Sequence, residues 1–238
     1  MKLLVSPKDV EEAKAVIRGS ADIVDVKNPK EGSLGANFPW VISAIRGLIE
    51  EEKGNGVELS AAIGDFDYKP GTASLAALGA ASVGADYIKV GLYGVKTKHE
   101  AIDLLSGVVK AVKGYDADKK IVAAFYSDYT RIDSVSPFEI AEIGKEVDID
   151  VAMVDTGVKD GRSTLEFLSE EELKTFFSDS KALGLETAIA GSLTFDDIPT
   201  IKRINADILG VRGMVCGGNR NDSVRAELVS KLRQAVAE

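Results

Sequence analysis

Residues 87–112, YIKVGLYGVKTKHEAIDLLSGVVKAV, contain one complete strand–helix unit. The first six residues are mostly apolar around Lys89 and predict a buried strand over Tyr87–Leu92. Thr97 and Glu100 then have the spacing of a capping box, which predicts that a helix begins there. The apolar residues that follow recur every three or four positions, so one face of this helix is expected to cover the sheet: Ala101, Leu104, Leu105, Val108 and Val112.

The same alternation of strand and helix continues along the whole chain. Seven further apolar segments have the length of strands: Lys2–Ser6, Asp22–Lys27, Val57–Gly64, Ile121–Ser127, Val151–Thr156, Thr187–Ser192 and Ile208–Gly213. These segments are apolar on both faces, as expected when helices cover one side of a parallel sheet and a packed interior the other. The pattern predicts an α/β fold with one (β/α)8 TIM barrel, formed as a single domain over residues 1–238. No G-x-G-x-x-G pattern follows the first strand, which argues against a dinucleotide-binding sheet.

Three details of local structure can be predicted around this framework. Ser6 precedes a proline and predicts a helix that has a hydroxyl cap and begins at that proline. Asp65 and Asp67 are expected in a solvated loop after the third strand, although two carboxylates at this spacing also suit Mg²⁺. Phe38 and Trp40 are expected to pack the second helix against its neighbours.

The composition excludes several classes of function. The chain is 45% hydrophobic and 28% charged, which is sufficient for one sizeable core. Cys216 is the only cysteine and His99 the only histidine, so a zinc site of several thiolates or histidines cannot form. We therefore expect no metal and no cofactor. The formal net charge of −9 argues against binding to nucleic acid or to an anionic membrane surface.

The same two residues are weak candidates for catalysis. His99 lies in the capping box of an outer helix, where a surface position is expected. Cys216 has no histidine nearby that would activate it as a nucleophile. The amino-terminal residues turn polar too early for a signal peptide, and no apolar run approaches the roughly 18 residues of a membrane span. We expect a cytoplasmic protein without membrane or nucleic-acid partners, and the sequence leaves open whether it forms a homo-oligomer.

Reactive side chains stand at the carboxyl-terminal ends of even-numbered strands, where barrel enzymes carry their active sites. Asp25 and Lys27 end the second strand on one side of it, Lys89 lies in the fourth, and Asp155 ends the sixth with Lys159 in the following loop. Since even-numbered strands contribute to the same interior layers, these groups are expected to converge. A lysine near another ammonium has a lowered pKa and attacks carbonyls as an amine. The residues predict Schiff-base chemistry in which a second lysine moves protons; structural ion pairs are the alternative.

Glycines follow the last two strands, which is the usual phosphate position of a barrel. Their backbone amides can approach a ligand closely, and two arginines, one of them Arg220, stand beside them. The predicted phosphate ligands are Gly191, Ser192, Arg212, Gly213, Gly217 and Gly218. A role of the glycines in turn geometry alone is the alternative. The residues by themselves therefore indicate a phosphorylated carbonyl compound as substrate.

The charged positions lie in three segments that resemble one known family. The segment DVKNPKEGSLGA at residues 25–36 resembles the signature of the (5-formylfuran-3-yl)methyl phosphate synthase family of methanofuran biosynthesis. The segments DYIKVGL at residues 86–92 and DTGVKDG at residues 155–161 are similar to its other charged blocks. The similarity extends over the whole chain.

The resemblance implies a TIM-barrel lyase that joins two molecules of glyceraldehyde 3-phosphate to 4-(hydroxymethyl)-2-furancarboxaldehyde phosphate, with loss of phosphate and water. It also implies that Lys27 is the Schiff-base lysine and Lys89 the proton acceptor, with Asp25, Asp155 and Lys159 in supporting roles. Two other functions stay open on the residues alone. One is a class I aldolase that acts on a sugar phosphate, and the other is a non-catalytic barrel that binds phosphate.

Overall fold

Eight parallel strands form a closed barrel in the computed structural model, which describes residues 1–52 and 56–237. The strands follow one another around the barrel in sequence order, and β1 closes the ring by pairing with β8. Their bounds are β1 (Lys2–Val5), β2 (Ile23–Val26), β3 (Glu58–Asp67), β4 (Tyr87–Gly94), β5 (Lys120–Tyr126), β6 (Val151–Asp155), β7 (Glu186–Ile189) and β8 (Ile208–Val211). The predicted (β/α)8 barrel is confirmed.

Helices follow the strands and cover the outside of the barrel. They are α1 (Val10–Arg18), α2 (Pro39–Glu51), α3 (Pro70–Ser82), α4 (Lys98–Tyr115), α5 (Ile140–Glu146), α6 (Thr164–Phe167), α7 (Glu170–Ala182), α8 (Ile198–Ile204) and α9 (Ala226–Ala237). The helix α4 has the predicted capping box between Thr97 and Glu100, and it buries the predicted apolar face. None of the helices in the described ranges is long and apolar enough to cross a membrane.

The apolar residues form two separate cores. The larger core lies between the strands and the surrounding helices, where outward-facing strand residues meet the helices. The smaller core fills the barrel itself, with residues such as Leu4, Val122 and Met153. Lys2 pairs with Glu58 at 2.7 Å at the amino-terminal end of the barrel. The candidate lysines and Asp155 line a cavity at the opposite, carboxyl-terminal mouth, where barrel enzymes carry their active sites.

The prediction that Ser6 caps the first helix is wrong. The helix α1 begins at Val10, and the side chain of Asp9 accepts a hydrogen bond from the backbone N–H of Glu12. The Ser6 hydroxyl instead donates to the buried Asp25 carboxylate at 2.7 Å. The buried Asp25 carboxylate needs hydrogen-bond donors, and Ser6 is one of them. The amino-terminal N–H groups of α1 do not need Ser6, because Asp9 caps them.

Two predictions about exposed residues are also wrong. Asp65 and Asp67 do not lie in a loop, because β3 continues to Asp67 and pairs with β4 through two shifts of register; Asp67 is exposed as expected, whereas Asp65 is half-buried. Within the described residues, no group of three or more acidic, histidine or cysteine side chains is arranged to hold a metal ion. Phe38 and Trp40 do not pack α2, because they are 52% and 66% exposed and stack on each other with ring centroids 4.5 Å apart. Trp40 stands two residues before the buried Ile42, and this spacing places it on the opposite face of the helix.

Candidate active site

An ion pair between Asp25 and Lys89 lies deep in the barrel mouth. Lys89 Nζ is 2.5 Å from Asp25 Oδ2, and the two side chains are 1% and 0% exposed. The hydroxyls of Ser6 and Ser60 also donate to this carboxylate, each at 2.7 Å. Burial by itself raises the pKa of Asp25, but the charges of Lys89 and Lys27 outweigh it and hold that pKa below its usual value. Asp25 is therefore an ionised group that fixes the position of Lys89.

A second ion pair joins Asp155 and Lys159 above the end of β6. Lys159 Nζ lies 2.6 Å from Asp155 Oδ1 and donates a further hydrogen bond to Thr156 Oγ1 at 3.0 Å. Burial raises the pKa of Asp155, but the charges of Lys159 and Lys27 lower it to about 2. The buried Asp128 carboxylate accepts hydrogen bonds from the N–H groups of the following two loop residues, Gly157 at 2.6 Å and Val158 at 3.0 Å. This loop therefore holds Lys159 beside its partner.

Lys27 differs from the other two lysines because it lacks a direct carboxylate partner. It is 7% exposed, and no carboxylate in the described part of the chain lies within ion-pair distance of its Nζ. Burial and the neighbouring charge of Lys89 lower the pKa of Lys27 to about 7, although Asp155 and Asp25 act in the opposite direction. The neutral amine of Lys27 is therefore accessible near pH 7. A neutral amine is the form that attacks a carbonyl carbon.

One cavity connects the lysines with the glycine loops. Its volume is about 660 Å³, within the range of roughly 300–1,000 Å³ that is usual for small-molecule sites. Lys27, Lys89, Asp155 and Lys159 line it, together with the loops after β7 and β8. Asp25 does not line the cavity because it lies behind Lys89. The side chains from even-numbered strands thus converge as predicted, since Lys27, Lys89 and Asp155 share one cavity and Asp25 contacts Lys89.

The glycine loops combine turn geometry with unpaired backbone amides. Gly191 has a φ of +103°, and a Cβ atom there would lie 2.3 Å from Thr164 Oγ1, so only glycine fits. Gly217 and Gly218 also have positive φ, at +81° and +100°, and the N–H groups of both donate to the Gly213 carbonyl oxygen. The prediction of these two glycines as phosphate ligands is therefore corrected, because their amides close the turn. However, the N–H groups of Gly191, Ser192 and Gly213 have no hydrogen-bond acceptor among the described residues, and all three line the cavity. These amides are available to an anionic ligand.

Arg212 does not have the free donors that phosphate binding requires. Its five N–H groups donate to the Glu12 carboxylate and to the backbone oxygens of Ser6, Arg220 and Asp222. The prediction of Arg212 as a phosphate ligand is therefore corrected, because a buried guanidinium beside Glu12 is fully satisfied inside the protein. Arg212 and Arg220 both line the cavity, but only the Nη2 of Arg220 is buried without a hydrogen-bond partner within the described residues.

The sequence comparisons agree with this site. Residues 3–233 match the family model described as 4-HFC-P synthase. The chain belongs to the 4-HFC-P synthase family. It is 60% identical over 233 residues to the (5-formylfuran-3-yl)methyl phosphate synthase of Methanosarcina barkeri, a match that covers 98% of this chain and 97% of the relative. The protein of the same name from Archaeoglobus fulgidus is 53% identical over 236 residues, with 99% of each chain covered.

Solved structures show the same fold at much lower sequence similarity. The 3-hexulose-6-phosphate synthase from Salmonella typhimurium is 17% identical and superposes with a TM-score of 0.66, covering 100% of this chain and 99% of that one. This likeness concerns the barrel alone. The family assignment of this 4-HFC-P synthase family member rests on the sequence relatives.

Three side chains at the mouth of this 4-HFC-P synthase family member were not predicted from the sequence. They are the two serines that bind Asp25, Ser6 and Ser60, and Tyr126, the fully buried last residue of β5. The sequence offers a signal for Ser60 and Tyr126, because each is a polar group next to apolar residues of its strand. The expectations for the two weak candidates are met, since His99 is exposed and Cys216 is buried away from the cavity lining, where burial raises the pKa of its thiol.

Proposed function

We propose that this protein is a (5-formylfuran-3-yl)methyl phosphate synthase, a lyase that acts through a lysine Schiff base in methanofuran biosynthesis in the cytoplasm. Two molecules of glyceraldehyde 3-phosphate combine, and the balance of atoms requires the loss of one orthophosphate and two water molecules. The observation that carries this proposal is Lys27, a buried lysine that has no carboxylate partner among the described residues and shares a cavity with members of two lysine–carboxylate pairs. Membership of the 4-HFC-P synthase family supports it.

Lys27 begins the reaction as a nucleophile. Its neutral amine attacks the carbonyl carbon of one triose phosphate, and loss of water from the carbinolamine leaves an imine. The protonated imine withdraws electrons from the adjacent carbon, which makes the C–H bond there acidic. Removal of that proton gives an enamine, which can attack the aldehyde of the second triose.

Lys89 is the group placed to move this proton. Its ammonium first gives a proton to the hydroxyl that leaves the carbinolamine as water, and the resulting neutral amine then accepts the proton from the adjacent carbon. Lys89 lines the same cavity as Lys27, and Asp25 holds it in one position from behind. A positioned acid or base of this kind contributes roughly two to four powers of ten in rate. Lys159 supplies a second ammonium group at the rim of the cavity, and the paired Asp155 carboxylate balances its charge. No cofactor takes part in the proposed chemistry.

The phosphoryl groups are held on the other side of the cavity. The free amides of Gly191, Ser192 and Gly213 and the unpartnered Nη2 of Arg220 are the donors proposed for this purpose. Arg212 contributes indirectly, because its Nε donates to the Arg220 carbonyl at 2.7 Å and so fixes that loop. Backbone amides and a guanidinium are both common ligands of phosphate in proteins.

The proposal is tested by incubating the purified protein with glyceraldehyde 3-phosphate. We expect a furan absorbance to appear together with equimolar orthophosphate, and borohydride to add a triose-derived mass to the peptide that contains Lys27. An aldolase would instead give a sugar phosphate without ring absorbance or free phosphate. A barrel that only binds phosphate would leave the substrate unchanged, and either result would refute the proposal.

A further inference from the structure

The segment that follows Lys27 crosses the mouth of the barrel. In this cover segment, residues 28–36, the Ser33 hydroxyl donates to the backbone oxygen of Thr156 at 2.8 Å. Thr156 follows β6, which stands opposite β2 in a ring of eight strands, so this hydrogen bond spans the mouth. Leu34 is fully buried and packs with the residues of the barrel interior. The cover segment therefore closes part of the active-site end.

Asp65 connects the cover segment to the barrel wall. One oxygen of its carboxylate, Oδ2, accepts a hydrogen bond from the Leu34 N–H at 3.0 Å. The other oxygen, Oδ1, accepts a hydrogen bond from the Tyr126 hydroxyl at the end of β5. Burial and the charge of Asp65 hold the pKa of Tyr126 well above its usual value, so its hydroxyl stays protonated and donates. One carboxylate thus joins β3, β5 and the cover segment.

Two glycines make room for this carboxylate. A Cβ atom at Gly32 in the cover segment would lie 2.6 Å from Asp65 Oδ2. A Cβ atom at Gly91, two residues after Lys89, would lie 2.6 Å from Asp65 Oδ1. Real Cβ atoms do not approach an oxygen this closely, so a side chain at either position would displace Asp65. The cover segment at Gly32 and β4 at Gly91 therefore both leave space for the Asp65 carboxylate.

The contacts made by Asp65 explain why the cavity does not extend over β3 and β5. Within the described ranges, six strands contribute to the cavity lining either directly or through the residues that follow them, as β2 does with Lys27 and β7 with Ala190. Neither β3 nor β5, nor the loop after either strand, contributes a lining residue, and these two strands carry Asp65 and Tyr126. The cover segment thus seals this half of the mouth and leaves an opening over the glycine loops. Lys27 directly precedes the seal, so an intermediate on Lys27 is shielded from solvent on one side.

We propose that Asp65 is a positioning residue for the reaction, which holds the cover segment shut so that water is excluded from the intermediate bound to Lys27. The inference rests on the proposed function, because it concerns the fate of a lysine-bound triose. Closed active sites commonly protect reactive intermediates in this way.

If the cover segment is loosened, the enamine on Lys27 has a defined route of breakdown. The enamine of glyceraldehyde 3-phosphate on Lys27 carries a phosphoryl oxygen one carbon beyond its nucleophilic carbon. If the second triose does not capture it, its electron pair breaks that C–O bond and expels orthophosphate. A proton from solvent completes a methyl group, and one water then hydrolyses the remaining imine. Since imine formation had released one water, the net change is glyceraldehyde 3-phosphate to methylglyoxal and orthophosphate.

The experiment compares the ratio of orthophosphate to furan product among variants. Wild-type protein is expected to give a ratio of one. Asp65→Ala removes both hydrogen bonds, and we expect the ratio to rise to about two or more, with methylglyoxal equal to the excess phosphate. Asp65→Asn keeps an acceptor for Leu34 and a polar contact with Tyr126, so it is expected to return the ratio toward one.

Two further variants separate a local effect from general destabilisation. Ser33→Ala removes the other anchor of the cover segment and should also raise the ratio, which keeps the test valid if Asp65→Ala does not fold. Asp103→Ala is the matched control, because Asp103 accepts a hydrogen bond from Tyr68 at the exposed surface. This control should leave the ratio at one.

A ratio of one in both Asp65→Ala and Ser33→Ala would overturn the inference, even if turnover fell, since the cover segment would then not govern the fate of the intermediate. A rise in the Asp103→Ala control would overturn it as well. Failure of the proposed function is distinguishable from both, because wild-type protein would then form neither the furan nor the Lys27 adduct.

Discussion

Lys89 and Asp25 form an ion pair that is almost completely inaccessible to solvent. Lys27 lies two residues beyond Asp25 on the same side of the second strand and has no such partner. The Asp25 carboxylate therefore distinguishes the two lysines, because it pairs with Lys89 and not with Lys27. It holds one ammonium in place, and the charge of that ammonium helps to keep the other lysine neutral.

The two lysines should fail in different ways when truncated. Lys27→Ala should abolish both the borohydride-trapped adduct and turnover, because no other group supplies the imine. Lys89→Ala should still form the adduct but slow furan formation by roughly two to four powers of ten. Peptide mass spectrometry and a furan absorbance assay measure the two effects, with the exposed Lys110→Ala as a control. Labelling confined to Lys89 would exchange the two roles, and wild-type turnover in Lys89→Ala would make it a structural residue.

The buried pair should show strong coupling in stability. Asp25→Asn and Lys89→Met each leave one charge buried without its partner, and each should lower the free energy of unfolding by about 3–5 kcal/mol. The double variant removes both charges, so its loss should be well below the sum of the two single losses. Urea unfolding of all four proteins measures this double-mutant cycle. Additive losses would mean that the ion pair contributes little in solution.

Activity should rise with pH around neutrality. The pKa of Lys27 is lowered to about 7, so the fraction of neutral amine increases as pH rises from 6 to 8. Removal of the Lys89 charge raises the pKa of Lys27, so the rising limb of kcat/KM should move to higher pH in Lys89→Ala. Rate measurements across this range test both statements. A rate that falls over the same interval would exclude Lys27 as the nucleophile.

The same pKa predicts a stability effect with a defined sign. The folded state of Lys27 has a lower pKa than the unfolded state, so the unfolded chain binds more protons between about pH 7 and the usual lysine value of 10.5. The Lys27 contribution is therefore most unfavourable below pH 7 and becomes less so as pH rises. Lys27→Met should stabilise the protein most at pH 6, and this gain should shrink toward pH 10. Unfolding measured at several pH values tests this trend, and a stabilisation by Lys27→Met that grows with pH would contradict it.

The two arginines after β8 should affect different properties. Arg212→Ala leaves the buried Glu12 without its guanidinium partner and should destabilise the fold by about 3–5 kcal/mol. Arg220→Ala should change stability little but raise KM and weaken inhibition by orthophosphate, because its free Nη2 is a proposed phosphate donor. Thermal unfolding and inhibition kinetics separate these outcomes. If orthophosphate inhibits Arg220→Ala as strongly as wild type, the phosphate lies elsewhere.

The order of elements and the charged strand ends could be predicted from sequence because both are local patterns. Alternating apolar segments and caps predict strands and helices, and eight such units in this length fit a closed barrel. A lysine within an apolar strand is costly to bury without purpose, so Lys89 is conspicuous from its sequence neighbours alone. The resemblance of three segments to one family then narrowed the chemistry.

Contacts between distant segments depended on tertiary structure. Lys27 and Lys89 look alike in sequence, and only the packing of β2 against its neighbours shows that Asp25 pairs with Lys89. Arg212 and Arg220 are both plausible phosphate ligands in the chain, but Glu12, about 200 positions away, occupies the first of them.

Sequence by itself determined the barrel and the set of reactive residues, since strand period, helix caps and strand-end charges are encoded within short stretches. Tertiary structure alone decided which lysine lacks a carboxylate partner among the described residues, which arginine keeps an unpaired donor at the cavity, and how Asp65 contacts the cover segment. The physical reason is that pKa values and hydrogen-bond satisfaction depend on distances between strands that close into a ring. Those distances are set by register and packing, which no local stretch of the chain contains.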